Sequence, residues 1–183
     1  MIRDAVDVDL FRPMSRLRAR ERLGIAPEER LVIFPHDVRQ PTKRHWLAQR
    51  TLDVLTQSMP SARLWVVNGR PADEMPWYYA AADAMIVTSE REGGPSSVKE
   101  ALACGIPVVS VAVGDTELFA EAPEWVVHAA ATPEALSDAL RSVLMRGNNG
   151  QRSSHLPPAL TLHNAAQTIG LLYHDVTRRR RAA

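Results

Sequence analysis

The chain holds one cysteine, Cys104, so no internal disulfide can staple it and the fold must rest on a hydrophobic core. Long apolar runs are missing too, and none approaches the roughly 20 residues that span a bilayer. The opening residues Met1-Ile2-Arg3-Asp4 lack the apolar stretch of a signal peptide. Charge of one sign is not in excess. The 22 basic and 21 acidic residues leave a net charge of +1, which supplies no bulk attraction to nucleic acid or acidic lipid. Lysine is nearly absent, with Lys43 and Lys99 standing against a background of arginine.

Phosphate-binding signatures are missing as well. Where a dinucleotide-binding turn would place Gly-x-Gly-x-x-Gly, the chain offers Pro35-His36-Asp37, and it has no P-loop. That argues against a nicotinamide-dependent enzyme. His36, His45, His128, His155, His163 and His174 are scattered, and one cysteine cannot build a zinc site, so neither metal nor cofactor is expected.

What is present is an ordinary globular composition, 45% apolar and 23% charged over 183 residues, enough for one domain. Val6 to Pro13 reads as an extended lead-in. Ser15 can cap a helix that Gly24 ends. Apolar runs at Leu31–Phe34, Leu64–Val67, Ala84–Val87, Val108–Val111 and Trp125–Val127 read as buried strands. Helices are expected around Leu47–Met59, at Trp77–Ala82, Ser96–Ala103, Pro133–Met145 and Leu162–Arg178. Between the last two, Gly147 to Pro158 reads as a surface loop, and Arg178–Arg181 as a solvated end.

Continuous apolar strands alternating with helices predict an α/β fold: one doubly wound, Rossmann-like parallel sheet covered on both faces. Residues 1–14 then form a linker, 15–178 the domain, and 179–183 a disordered basic tail. In such a sheet ligands bind beyond the carboxyl ends of the strands, where strand order reverses.

Three loops fall there: His36–Arg44, Asn68–Pro76 and Thr88–Ser97. The third is the richest. Glu92 precedes Gly93 and Gly94, and Pro95 and Ser96 open a helix whose first turns carry Glu100. Glycines admit a ligand close to the backbone, and a helix N-terminus favours an anion. The carboxylates could accept hydrogen bonds from sugar hydroxyls. A nucleoside diphosphate sugar has that layout. The structural alternative is equally open: Ser97 and Glu100 match a capping box, and Glu92 can be a solvated loop charge. Arg39, Lys43 and Arg44 in the first loop could neutralise a diphosphate, or be merely solvated.

These residues carry a resemblance. Seven residues separate Glu92 from Glu100, followed by Ala101-Leu102-Ala103-Cys104-Gly105-Ile106-Pro107-Val108-Val109-Ser110 and Val113-Gly114-Asp115. Met75 to Ala84 leads into them. The whole resembles the C-terminal, donor-binding domain of the group 1 glycosyltransferases, retaining enzymes of the GT-B fold. The proline-and-lysine first loop (Pro35 to Lys43) and the Ser89–Pro95 run resemble the teichuronic-acid-type transferases in particular. The resemblance implies that Glu92 contacts the donor sugar and Glu100 the ribose. It implies that backbone around Gly93 and Gly94 meets phosphate, and that Lys43 with Arg39 neutralises the leaving diphosphate. Pro95, Ser96, Asn68 and Gly69 join the expected donor site.

Two departures stand out. The usual Gly-Arg after the first strand is absent and Arg39 is one residue short in spacing. A helix and strand that hold the base are missing between Gly69 and Met75. The resemblance further implies a partner, an N-terminal acceptor-binding domain, without which this part is expected to be inactive. The chain is therefore expected to be part of a longer protein. A cytoplasmic location follows from the resemblance, and peripheral association of the whole enzyme with the inner membrane face stays open. A non-catalytic nucleotide-binding module, a GT-B-type sugar-nucleotide epimerase and a purely structural partner domain are the rivals.

Overall fold

The computed structural model describes residues 4–119, 124–147 and 152–182. Five parallel strands form its centre: β1 (Arg30–Phe34), β2 (Ala62–Val66), β3 (Ala84–Val87), β4 (Val108–Ser110) and β5 (Val126–His128). Their order is β2-β1-β3-β4-β5. The chain steps outward from β1 to β2, then returns past β1 to β3, so the direction of winding reverses between β1 and β3. Right-handed crossovers put the helices before and after that reversal on opposite faces. This is the expected doubly wound α/β sheet.

The burial pattern explains the apolar runs. Leu31–Phe34 of β1, and all of β3 and β4, are buried because helices cover both faces. Edge strand β2 is less covered, with Ala62 buried, Leu64 and Trp65 half-buried, and Arg63 and Val66 exposed. Between β1 and β2 runs α2 (His45–Ser58), whose Leu47, Leu52 and Leu55 fall on one stripe and are buried. Each such burial contributes about 1.5–3 kcal/mol. Helix α5 (Pro133–Arg146) packs against α2, with Thr132 capping it through Ala135 N–H and Leu136, Leu140, Val143 and Leu144 inward.

Helix α1 (Arg16–Leu23) begins and ends where the sequence indicates: Ser15 accepts from Arg18 N–H, and Gly24 adopts a left-handed C-cap. It packs on α3 (Met75–Ala81), which starts two residues earlier than expected because Pro76 suits a first turn. The α1–α3 seam holds a buried cation. Arg20, 1% exposed, donates to the carbonyls of Ala26, Pro27, Glu29 and Ala81 and to Asp83 Oδ2 at 2.8 Å. Asp83 also accepts from Leu31 N–H at 2.7 Å and pairs with Arg16 at 2.8 Å.

Several expectations are corrected. The lead-in is not extended: Asp7 Oδ1 accepts from Asp9 and Leu10 N–H and turns the chain. That turn seats Val6 and Phe11 in the core, and Val6 bridges Thr161. Residues 1–3 of the linker, 148–151 of the Gly147–Pro158 loop and residue 183 of the tail lie outside the described residues. The remainder of that loop is at the surface as expected, with Ser153, Ser154, Pro157 and Pro158 exposed, but it is anchored. Arg152 donates to the carbonyls of Tyr79 (3.0 Å) and Ala82 (2.6 Å) and clips it to the end of α3. Helix α6 (Leu162–Ala182) continues through the arginines expected to be a disordered tail. Arginine is a good helix former, and cations near a C-terminus complement the helix dipole. Leu162, Leu171, Leu172 and Tyr173 are exposed on α6.

Candidate functional site

The reversal between β1 and β3 opens a cleft of about 470 Å³ beyond the strand ends. Its walls come from the loops after β1, β2 and β3, which are the three singled out in the sequence. Helix α4 (Ser96–Ala103) starts at its floor.

The first loop is shaped by a 3₁₀ turn over Pro41–Lys43, with Pro41 pre-set for the first position. Arg44 then takes a left-handed conformation, φ 48°, rare for a side chain of its size. Its guanidinium donates to the carbonyls of Thr88 (2.5 Å) and Ser89 (3.2 Å). Thr88 Oγ1 answers by donating to Lys43 O at 2.8 Å, and Glu90 N–H donates to Thr42 O. Arg44 is thus a clip between two loops and not a free cation at the cleft. The sequence alone gives no sign of this role, since the carbonyls Arg44 binds lie 44 and 45 residues away.

That clip brings Lys43 to Glu92. Lys43 Nζ donates to Glu92 Oε1 at 2.6 Å, with the side chains 17% and 11% exposed. Arg39 does not join them. Its side chain is 84% exposed and its Nη2 sits 2.7 Å from Asp37 Oδ2. The hydrogen bonds from Arg39 hold the Asp37 carboxyl down at about 2. A partner two residues away captures Arg39 at the surface, so the second expected cation is not at the cleft.

Glu100 is at the cleft, and not as a capping-box residue. The N-cap position of α4 is Pro95, and no side chain caps the helix. Glu100 Oε2 instead accepts from the hydroxyl of Tyr79 on α3 at 2.8 Å. Burial pushes the Glu100 carboxyl up, and the Tyr79 hydrogen bond pulls it part of the way back. Tyr79 itself is fully buried. Burial, with Glu100 beside it, holds its hydroxyl protonated, well above the ordinary range. The expectation missed Tyr79 because Trp77–Ala82 reads as a plain apolar helix, and nothing local distinguishes Tyr79 from its neighbour Tyr78.

The glycine turn is constrained from below. Gly94 packs so tightly that a Cβ there would stand 2.9 Å from Asp115 Oδ2 and 3.1 Å from Lys99 Nζ. Gly114, at φ 52°, faces the carbonyl of Glu92, which a Cβ would meet at 2.6 Å. The Val113-Gly114-Asp115 segment therefore supports the turn that carries Glu92. Gly93 has open space where a side chain would be. Gly94, Pro95, Ser96, Asn68 and Gly69 all line the cleft, as do Arg70, Ala72 and Met75. His36, from the first loop, was not singled out. Burial first and Lys43 second hold it down at about 4, with Glu92 opposing, so it is neutral at pH 7. Its buried Nε2 has no protein partner.

Chemically, the cleft offers two cations, Lys43 and Arg70, two carboxylates, Glu92 and Glu100, and an uncapped helix N-terminus. Among the described residues no group of three His, Cys, Asp or Glu side chains is placed to hold a metal ion. Among them, too, no helix is long and apolar enough to cross a membrane.

Known proteins share this arrangement of chain. The D-inositol 3-phosphate glycosyltransferase of Mycobacterium bovis is 31% identical over 144 residues, covering 62% of this chain and 29% of that protein. The protein of the same name from Segniliparus rotundus is 28% identical over 138 residues, with 60% of this chain and 30% of the relative covered. The chain thus spans less than a third of the length of these relatives. Among solved structures, sucrose-phosphate synthase from Thermosynechococcus elongatus matches with a TM-score of 0.72 at 20% identity, covering 97% of this chain and 52% of that one. Anabaena HepE in complex with UDP-glucose matches with a TM-score of 0.70 at 17% identity, covering 95% and 57%. Identities that low speak to the fold. The family described as glycosyl transferases group 1 matches residues 49–154, which hold β2 to β5, Glu92, Glu100 and the glycine turn, and the chain belongs to that family.

Proposed function

We propose that this chain is the donor-binding half of a retaining glycosyltransferase, moving a sugar from a nucleoside diphosphate sugar to an acceptor. The observation that carries the proposal is the convergence of Lys43, Glu92, Glu100 and the uncapped start of α4 on one cleft. The UDP-glucose complex of HepE, a structure of the same fold, supports a donor of this class. Glu100 accepts from ribose hydroxyls. The backbone at Gly93 and Gly94 and the first turn of α4 take the diphosphate. Glu92 orients the sugar.

As the anomeric bond breaks, negative charge grows on the diphosphate. Lys43 and the helix end stabilise it without a metal ion, and removing one such preorganised contact typically costs about 3–4 kcal/mol of barrier. The departing phosphate takes the acceptor proton. The acceptor sits on a separate N-terminal domain, and the present part is inactive without it. The whole enzyme works in the cytoplasm, with the inner face of the membrane as a further place of action. Likeness to teichuronic-acid-type transferases rests on two short loops, whereas overall identity points to D-inositol 3-phosphate glycosyltransferases. The acceptor is accordingly left at the level of a hydroxyl-bearing molecule.

The test is a calorimetric and NMR screen against UDP, GDP, TDP and ADP. Binding of one of them, with chemical-shift changes centred on Gly93 and Gly94, supports the proposal. Absence of binding to all four removes it. In the full-length enzyme, NMR of the product should show the donor's anomeric configuration kept and turnover unchanged by EDTA. Donor turnover without acceptor would assign an epimerase instead.

A further inference from the structure

The sequence leads to two cations at the departing phosphate, and the fold delivers one of them, Lys43. The chain's other lysine takes a place that the sequence did not assign. Lys99 is in the first turns of α4, directly before Glu100, and its side chain is 1% exposed. Its ammonium donates to Asp4 O at 3.1 Å and to Asp115 Oδ2 at 3.3 Å. A Cβ on Gly94 would lie 3.1 Å from that ammonium. The glycine turn therefore rests directly on a buried positive charge.

Burying an ammonium is costly, and both of its contacts are longer than a good charge-assisted hydrogen bond. Asp115 is 23% exposed and shares its field with water. The compensation of Lys99 is thus incomplete, and the remaining field acts where the glycine turn meets the uncapped N-terminus of α4.

We propose that Lys99 is a positioning residue for the donor phosphates. Its ammonium acts through the backbone of Gly94, adds positive potential to the end of α4, and favours a diphosphate over a monophosphate. Asp115 is the counter-charge that moderates this effect. The inference rests on the donor-binding role proposed above. At an effective dielectric of about 20, unit charges about 7 Å apart still change affinity by tenfold or more.

The two members of this ion pair should behave oppositely, which a merely structural pair would not do. Affinities of the full chain are measured by calorimetry for UDP, GDP, TDP and ADP, each against its own monophosphate. The wild type is expected to prefer the diphosphate of at least one base. Lys99→Met should shrink that preference about tenfold, Asp115→Asn should enlarge it severalfold, and Lys99→Arg should keep it. A preference unchanged in folded Lys99→Met, or lowered alike by Lys99→Met and Asp115→Asn, overturns the proposal. Where Lys99→Met unfolds the chain, Asp115→Asn decides: an enlarged preference supports the proposal, and an unchanged or lowered one overturns it. A wild type without any diphosphate preference sinks the donor-site reading itself. An intact preference indifferent to Lys99 and Asp115 sinks this inference alone.

Discussion

Lys43 and Glu92 are 49 residues apart in the chain, yet Nζ and Oε1 lie 2.6 Å apart across the reversal point of the sheet. The pair sets a cation and a carboxylate side by side where a diphosphate and its sugar would meet. A donor entering the cleft would share that cation with Glu92.

In the full-length enzyme, Lys43→Ala and Glu92→Gln should each lower kcat by about 10²–10³, the scale of one lost preorganised contact. Both side chains border the cleft, so water can re-solvate whichever remains, and the stability loss should be about 1 kcal/mol. Steady-state kinetics beside thermal unfolding check this. Wild-type turnover in either variant would remove that residue from the mechanism.

Glu100 gives a pH signature. Its carboxyl is pushed above the ordinary 4.5 chiefly by burial, so the ionised form is held at a cost to the folded chain. For an acid shifted upward, stability is fully present below the unfolded value and is lost as pH rises through the folded one. Glu100→Gln should therefore stabilise the chain at pH 7–8, and the gain should vanish as pH falls below about 4. Denaturant titrations across that range measure it. A gain that is constant with pH would place its origin elsewhere.

Tyr79→Phe removes one hydroxyl and leaves the ring in its packed place beside Phe11, 6.2 Å away. Glu100 then loses the group that orients it and its carboxyl moves further up. Nucleoside diphosphate affinity should fall about tenfold, on the scale of one hydrogen bond to a charged group. The 2′,3′-dideoxy analogue should bind wild type and variant equally. Equal losses for both ligands would show that Tyr79 does not act through the ribose.

Asp83 carries the α1–α3 seam. Asp83→Ala strands Arg20, which is 1% exposed, and leaves Leu31 N–H without its acceptor. Breaking a buried pair from one side typically costs about 3–5 kcal/mol. Chemical denaturation should show a loss of that size with the slope unchanged. A loss below about 1 kcal/mol would mean that the seam is held by apolar packing alone.

The sequence by itself determined the sheet and its sides. Five apolar runs, Ser15 and Gly24 as helix caps, and Pro133 in a first turn act through neighbours a few residues away, so they are legible locally. The glycine turn and its two glutamates were legible for the same reason. Tertiary structure alone decided which polar groups meet. Arg39 faces Asp37 instead of the cleft, Arg44 spends its donors on distant carbonyls, Glu100 turns to Tyr79, and Lys99 is buried beneath Gly94. A long side chain takes whichever partner the fold brings within about 3 Å. Apart from Asp37, which is two residues from Arg39, those partners lie 16 to 95 residues away in the chain, at distances that only the winding of the sheet sets.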